Sequence, residues 1–218
     1  MDISEDYLRH KDFDAYLNEQ MEMYSDGTWS YMPEGNTIYI DVQGNVIISN
    51  EHFVHGFLEN LEQIVVEYTG IKLDVRFRKI TGMLYIEDCY IETLILPQSV
   101  GSMTVIDTTI DKVEGKRIKC LKGDVKVSNC IAQTLEFLPH KIEGALSLHL
   151  SEIKSLKGFP KKITGDLTIK KVYRANPRSR KKGANHFYDK KDVAYFNPKY
   201  VEGKVNIEDS GFTQCDLQ

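Results

Sequence analysis

The sequence has little of what marks an enzyme, a membrane protein or a disulfide-stabilised protein. It contains four cysteines in 218 residues, with no Cys-x-x-Cys pair and no cysteine within four residues of a histidine, which argues against a zinc site. No apolar run approaches the roughly 20 residues that cross a bilayer. The motifs Gly-x-Ser-x-Gly, His-Glu-x-x-His, Gly-x-Gly-x-x-Gly and the Walker loop are absent. We therefore expect a non-enzymatic protein with no cofactor and no bound metal.

Strong charge of one sign is also lacking. The net charge is −4, so bulk charge does not make the whole chain a binder of nucleic acid. The first residues, MDISEDYLRHKDFD, are acidic and have no apolar stretch of the kind found in signal peptides. Because the sequence shows neither a signal peptide nor a membrane-spanning run, we expect a cytoplasmic protein.

One pattern repeats along most of the chain. Gly144 is followed two and four places later by Leu146 and Leu148, and then by Ile153 and Leu156 before the next glycine. Alternating apolar residues indicate a short strand with one buried face. The pattern follows seven glycines separated by 38, 19, 22, 21, 21 and 38 residues: Gly44, Gly82, Gly101, Gly123, Gly144, Gly165 and Gly203.

This repeat predicts a mainly β solenoid, because a 21-residue unit cannot bury its own apolar face and needs neighbours on both sides. We expect about eight short-strand turns over residues 37–218. The first 38-residue interval predicts a turn that has lost its glycine, with Glu62 in that place and Ile64 and Val66 inward. The last predicts one turn plus an insertion, since 38 exceeds 21 by 17, which we place at about residues 172–195.

Three segments carry a resemblance to a known family: GMLYIEDCYIETLILPQSVG, TLEFLPHKIEGALSL and SLKGFPKKITGDLTI. They resemble the short leucine-rich-like repeats of bacteriophage and bacterial proteins. The resemblance implies a curved solenoid in which each turn is a short strand with an irregular return. It also implies a scaffold that binds a protein. A phage origin would suggest an effector that binds and inhibits a host protein, such as a defence protein, by occlusion.

Residues 1–36 form a different segment ahead of the solenoid. Apolar residues at helical spacing predict a helix over residues 3–24. The turn-rich stretch after it holds Trp29, Tyr31 and Met32. One interpretation is a cap whose aromatic ring seals the end of the solenoid, because terminal repeats must be covered. The other is a mobile arm that anchors a partner through these side chains.

The outward residues of the strands are candidates for partner binding. Tyr85 and Ile106 are predicted to point outward on adjacent turns, with Met83 beside them, and the same face carries Lys126 and His149. This face is either an ordinary solvated sheet surface or a protein-binding surface, since contiguous outward apolar residues form a patch.

The insertion is rich in cations and aromatic rings. Residues 170–191 carry nine Lys and Arg against one Asp. Three interpretations stay open: a solvated loop, a site for an acidic protein, or a site for single-stranded nucleic acid, which makes a nucleic-acid-binding regulator the alternative function. The candidate residues are Arg174, Arg178, Arg180, Lys181, Lys182, His186, Phe187 and Tyr188.

Two further sets of residues are predicted to fall on one edge of the solenoid. Cys89 and Cys130 each lie seven places after a glycine, so we expect buried, reduced thiols two turns apart. Glu87, Asp88 and Asp107 should cluster beside them, and we interpret them as turn residues. The end of the last turn is weakly covered, which predicts a tendency to form an end-to-end homodimer.

Overall fold

A computed structural model describes residues 15, 18, 21–22, 25–35, 37–49, 74–174 and 187–212. These residues form a mainly β structure, a solenoid of about four turns built from three sheets. The expected solenoid is therefore confirmed, with fewer complete turns than the predicted eight.

The largest sheet, sheet A, has nine strands and is parallel apart from its first strand. Its order is β1, β2, β4, β6, β9, β12, β15, β16, with β3 also paired to β4. The strands are β1 (Thr28–Glu34), β2 (Thr37–Gln43), β3 (Val46–Ser49), β4 (Asp74–Glu87), β6 (Ser99–Ile106), β9 (Val125–Ser128), β12 (Leu146–His149), β15 (Leu167–Lys170) and β16 (Val205–Glu208).

Two smaller parallel sheets complete each turn. Sheet B contains β5 (Tyr90–Ile95), β7 (Thr109–Glu114), β10 (Ile131–Ala132) and β13 (Glu152–Ile153). Sheet C contains β8 (Cys120–Leu121), β11 (Lys141–Ile142) and β14 (Lys162–Ile163). A turn runs from sheet C through sheet A to sheet B. The resemblance implied an irregular return, whereas in the structure the return carries two further short strands.

The predicted inward residues form the core. Leu146 lies directly between Val125 and Leu167 in the sheet, and all three are at most 1% exposed. Ile142 and Ile163, two residues before their glycines, are fully buried in sheet C. Burial of each such side chain contributes about 1.5–3 kcal/mol before entropy is subtracted, so stacking alone can hold the array together.

The glycines form the turn between sheets C and A, which we call the glycine corner. A Cβ atom built on one of these glycines would lie 2.5–2.7 Å from the carbonyl oxygen of the glycine at the same corner of the preceding turn. This holds for Gly82, Gly101, Gly123, Gly165 and Gly203. Real Cβ atoms do not come so close to backbone, because the atoms would overlap. Glycine is required here for space.

The turn between sheets A and B is built differently, and we call it the left-handed corner. Six residues there, each six places after a glycine, have φ between 44° and 54°. They are Asp88, Asp107, Asn129, Leu150, Lys171 and Asp209.

The turn predicted around Glu62 is not confirmed. The amide of Gly82 donates to the carbonyl of Gly44 at 2.9 Å, and Val46 pairs directly with Leu84. Residues 50–73 lie outside the described residues, yet sheet A has no strand position between β3 and β4. Among the described strands, β4 therefore follows β3 directly, and Gly82 stacks on Gly44.

The first turn is covered by β1, which pairs antiparallel with β2. Of the helix predicted over residues 3–24, only Ala15, Asn18, Met21 and Glu22 are described, and these four are helical. The remainder of that prediction lies outside the described residues. Near the other end, a short helix α1 (Lys190–Val193) and a 3-10 turn at Pro198–Tyr200 precede β16.

Candidate protein-binding face and corner groove

The outward residues of sheet A form two unbroken ladders, as the glycine spacing predicted. The first ladder pairs Ile47, Tyr85, Thr104, Lys126, Ser147, Thr168 and Asn206 in order. The second pairs Ser49, Glu87, Ile106, Ser128, His149, Lys170 and Glu208. Each of these residues therefore has fixed neighbours on a rigid sheet.

Apolar side chains gather at one end of this face. Ile47 is 41% exposed and lies beside Tyr85, while Met83, Tyr85 and Ile106 are half-buried on β4 and β6. We call these four residues the apolar patch. Partial burial, followed by a hydrogen bond with Glu87, raises the pKa of Tyr85, so its hydroxyl stays protonated at neutral pH.

The same face turns polar along the solenoid. Lys126 is exposed next to Thr104, and the half-buried His149 lies one strand further, beside Ser128. The structure thus places these two predicted residues on the face of the apolar patch, one and two strands beyond β6.

A groove of about 820 Å³ runs along the left-handed corner, beside the second ladder. Its walls include four carboxylates, Glu87, Asp88, Asp107 and Glu152, and two exposed apolar side chains, Ile131 and Leu150. Three of these carboxylates are the ones that the sequence predicted to cluster. Their positions at or beside the corner agree with the interpretation as turn residues, since Asp88 and Asp107 have positive φ.

Buried polar side chains line the inside of this corner. Cys89, Thr108, Cys130 and Ser151 are each at most 5% exposed, and each donates to the carbonyl two residues before it. Both predicted thiols are buried, and neither forms a disulfide with another described cysteine. Burial raises the pKa of Cys130 to about 11, which disfavours a reactive thiolate at neutral pH.

The insertion departs from the predicted exposed basic loop. Tyr188 is 5% exposed and its hydroxyl donates to the carbonyl of Ile153 at 3.1 Å, so its side chain packs in the core rather than on an exposed loop. Its ring packs on Phe212, which contacts Phe196, and the three rings extend the core. In the sequence, an aromatic residue beside lysines suggests a binding residue. In the structure, Tyr188 instead covers part of the core.

Arg174 is held within the chain. Its guanidinium lies 3.1 Å from Asp189 and 3.5 Å from the buried Asp192. Phe187 is 54% exposed. The other candidates, Arg178, Arg180, Lys181, Lys182 and His186, lie outside the described residues, so their role stays a prediction.

Trp29 and Tyr31 face the core from β1. Both are partly buried, pack against the core and stack on each other with ring centroids 6.2 Å apart. Met32 points to the other side and is 40% exposed. This placement agrees with the capping interpretation.

Sequence reasoning missed two sets of polar residues that hold successive turns together. Asn45, Asp124 and Asp166, each directly after a glycine, accept the amides of Met83, Ala145 and Lys204 in the next turn at 2.7–2.8 Å. Aspartate or asparagine directly after three of the seven repeat glycines was a signal that could have revealed them.

The second set consists of one residue, Arg117, which no sequence pattern indicates. Its guanidinium donates to the carbonyls of Leu138, Pro139 and Gly158, which belong to the two following turns. Burial lowers its pKa to about 10, so the arginine remains charged at neutral pH. Only the fold brings these carbonyls to one point.

Two features are absent from the described part of the chain. No group of three or more His, Cys, Asp or Glu side chains there could hold a metal ion. No helix within those residues is long and apolar enough to cross a bilayer. Comparison with protein-family models, curated proteins and solved structures found no match.

Proposed function

We propose that this chain is a non-enzymatic scaffold that binds a protein partner through the apolar patch and acts by covering part of that partner. The observation that carries the proposal is the patch itself. Ile47, Met83, Tyr85 and Ile106 are adjacent on three paired strands and point away from the core. Outward apolar side chains that form one cluster mark surfaces for association more often than scattered ones do.

The surroundings of the patch fit a protein interface. Such interfaces combine an apolar or aromatic centre with a polar rim, and Tyr is enriched at their centres. Here Lys126 and His149 continue the face on one side, and the carboxylates of the corner groove begin at Glu87, beside the patch. A partner with an apolar contact flanked by basic side chains would complement this arrangement.

The rigidity of the sheet also supports the proposal. Each patch residue has backbone partners on both neighbouring strands or is next to a residue that does, so little conformational freedom is lost when a partner binds. Pre-organisation of this kind raises affinity without further contacts. By contrast, the described part of the insertion adds nothing to the nucleic-acid alternative, because Arg174 is paired and Tyr188 is buried.

The test compares capture of proteins from a bacterial lysate by the wild type, Tyr85→Ala and Ile106→Asp. We expect the loss of Tyr85 to weaken binding of the captured protein by about 30-fold, the effect of removing a residue that dominates an interface. Ile106→Asp should weaken it at least as much. Thr168→Ala, on the same ladder but outside the patch, is the matched control, and thermal unfolding checks that each variant folds.

Two results would contradict the proposal. One is undiminished binding by correctly folded Tyr85→Ala and Ile106→Asp. The other is capture that disappears after nuclease treatment of the lysate, since this would point to nucleic acid as the bound species. Hydrogen exchange of the complex should show protection at β4 and β6 and none at β15.

A further inference from the structure

The last strand of sheet A differs from all other parallel strands in how well it is covered. Val205 is 41% exposed, whereas its partner Leu167 and the equivalent Leu146 and Val125 are at most 1% exposed. The difference arises because β16 has a neighbour only on the β15 side among the described residues. The inward column of the solenoid therefore ends on an uncovered apolar side chain.

Exposed apolar side chains are concentrated near this end of the chain. Nine large apolar residues are exposed in the described part, and four of them lie between residues 187 and 205: Phe187, Tyr195, Tyr200 and Val205. At the opposite end, β1 lies antiparallel on β2 and covers it, and Ile38 and Ile40 are fully buried. An antiparallel strand is thus already the way in which this fold closes a terminal turn.

The backbone of β16 has hydrogen-bonding groups that face away from the sheet. The carbonyl of Lys204 accepts from Leu167 and that of Glu208 accepts from Lys171, so these groups point toward β15. Because N–H and C=O groups alternate sides along a strand, those of Val205 and Ile207 point to the open edge. An edge with free donors and acceptors is a template for another strand.

The sequence of β16 complements itself when two copies run antiparallel. With a two-fold axis at Asn206, Val205 of one copy faces Ile207 of the other, and Lys204 faces Glu208. Val205 and Ile207 are the residues whose backbone groups point outward, so this register also aligns four backbone hydrogen bonds. Both apolar residues lie on the core side of the sheet, where each would extend the inward column of the other copy.

We propose that β16 is a homodimerisation edge at which two copies pair antiparallel about Asn206 and join their sheets into one. The proposal is independent of the apolar patch, which lies on β3, β4 and β6 at the other end of sheet A. Glu208 remains available for the contact, since it is 54% exposed while pairing with Lys170 at 3.0 Å. A two-fold contact of this kind is closed and stops at two chains.

The test is a charge exchange that reports on the register. The wild type should have twice the 25.0 kDa mass of one chain by sedimentation equilibrium. Lys204→Glu places two pairs of carboxylates opposite each other, and Glu208→Lys places two pairs of ammonium groups opposite each other. Each variant alone should raise the dimer dissociation constant by about tenfold or more, because like charges directly opposite in a sheet are unfavourable.

An equimolar mixture of the two variants should recover the wild-type dissociation constant, because in the mixed dimer every contact again joins opposite charges. Lys154→Glu changes an exposed residue that follows β13 of sheet B. It is the control for net charge and should leave the mass of the dimer unchanged. Thermal unfolding of each variant separates a folding defect from a loss of pairing.

Three outcomes would overturn the proposal. A wild type that keeps the mass of one chain at high concentration would show that β16 does not pair with a second copy. Its edge would then be covered by residues of the same chain or by another protein. Failure of the mixture to recover dimerisation would exclude this register. A mass that rises beyond two chains would indicate head-to-tail stacking of β16 on β1, an open arrangement rather than a closed one.

Discussion

The two corners that flank sheet A both turn the chain from one sheet to the next, but they differ in how many residue types they accept. At the glycine corner every turn has glycine, because a Cβ atom on Gly165 would lie 2.7 Å from the carbonyl oxygen of Gly144. At the left-handed corner the chain accepts Asp, Asn, Leu and Lys with the same positive φ. Overlap with backbone atoms forces stacked turns apart and should cost more than the about 1–2 kcal/mol of a left-handed backbone. The glycine corner could therefore be predicted from the sequence at every described turn, whereas the left-handed corner could be predicted only where Asp marks it.

The largest expected effect breaks the glycine corner. Gly165→Ala should lower the free energy of unfolding by about 3 kcal/mol, because the added methyl group forces two stacked turns apart. Gly35→Ala is the control: φ is +61° and no heavy atom lies within 4 Å of its Cβ position, so only about 1 kcal/mol should be lost. Urea unfolding of both variants measures the difference. Equal losses would show that space is not what selects glycine at Gly165.

A smaller effect concerns the side chains that follow the glycines. Asp124 Oδ1 accepts the amide of Ala145 at 2.7 Å. Asp124→Ala leaves that amide without this acceptor and should cost about 1 kcal/mol, as the loss of a helix cap does. Asp124→Asn keeps an oxygen in place, as Asn45 does at its own turn, and should be nearly neutral. Identical unfolding curves for the Ala and Asn variants would refute this account.

The left-handed corner should respond in the other direction. Leu150 is 46% exposed with φ of +49°, a conformation that Asn tolerates better than Leu. Leu150→Asn should therefore raise the free energy of unfolding by about 0.5–1 kcal/mol. The reverse exchange, Asn129→Leu, should lower it, since it also removes the hydrogen bond from Asn129 to Asp107. A stabilising Asn129→Leu would show that backbone conformation does not govern this corner.

The smallest effect is a pH dependence at the start of the glycine corner. Hydrogen bonds from the backbone and then the side chain of Asn45 lower the pKa of Asp26 below 3.8. A lowered folded-state pKa contributes stability above the unfolded value and loses it as the pH falls through the folded value. The melting-temperature gap between the wild type and Asp26→Asn should therefore be largest near neutral pH and shrink in acid. A gap that stays the same at about pH 3 and about pH 6 would contradict this.

Much of the regular part of the fold could be predicted from the sequence because the repeat is a local pattern. Leu146 and Leu148 alternate after a glycine, and this fixed both the inward columns and the outward ladders that carry Tyr85 and Ile106. Cys130 was placed correctly because its position in the repeat matched that of Cys89. Periodicity gives the position of each residue within a turn.

What periodicity does not give is how the chain behaves between turns. The intervals from Gly44 to Gly82 and from Gly165 to Gly203 are both 38 residues, and we predicted a hidden turn in one and an insertion in the other. In both cases the two glycines stack directly on each other. Interval length alone does not distinguish an excursion from a turn, because either returns the chain to the same corner.

Long-range contacts account for the remaining differences. Tyr188 donates to Ile153, 35 residues away, and Arg117 reaches Gly158, 41 residues away. Nothing in the residues next to either one indicates these partners. The charged lysines near Tyr188 in the sequence suggested an exposed site. In the structure, the Tyr188 ring is buried against Phe212.

The stacking of Gly203 on Gly165 has a practical consequence. The chain continues past Lys171 to Tyr173, which still pairs with β13, and after an extra stretch it resumes at β16 in register with β15. The described part of this detour also packs on the array, since Tyr188 donates to the carbonyl of Ile153 and Phe196 contacts Phe159. A foreign peptide or small domain could therefore be grafted between Arg174 and Phe187 and displayed from the scaffold, provided that the covering residues Tyr188 and Phe196 are kept.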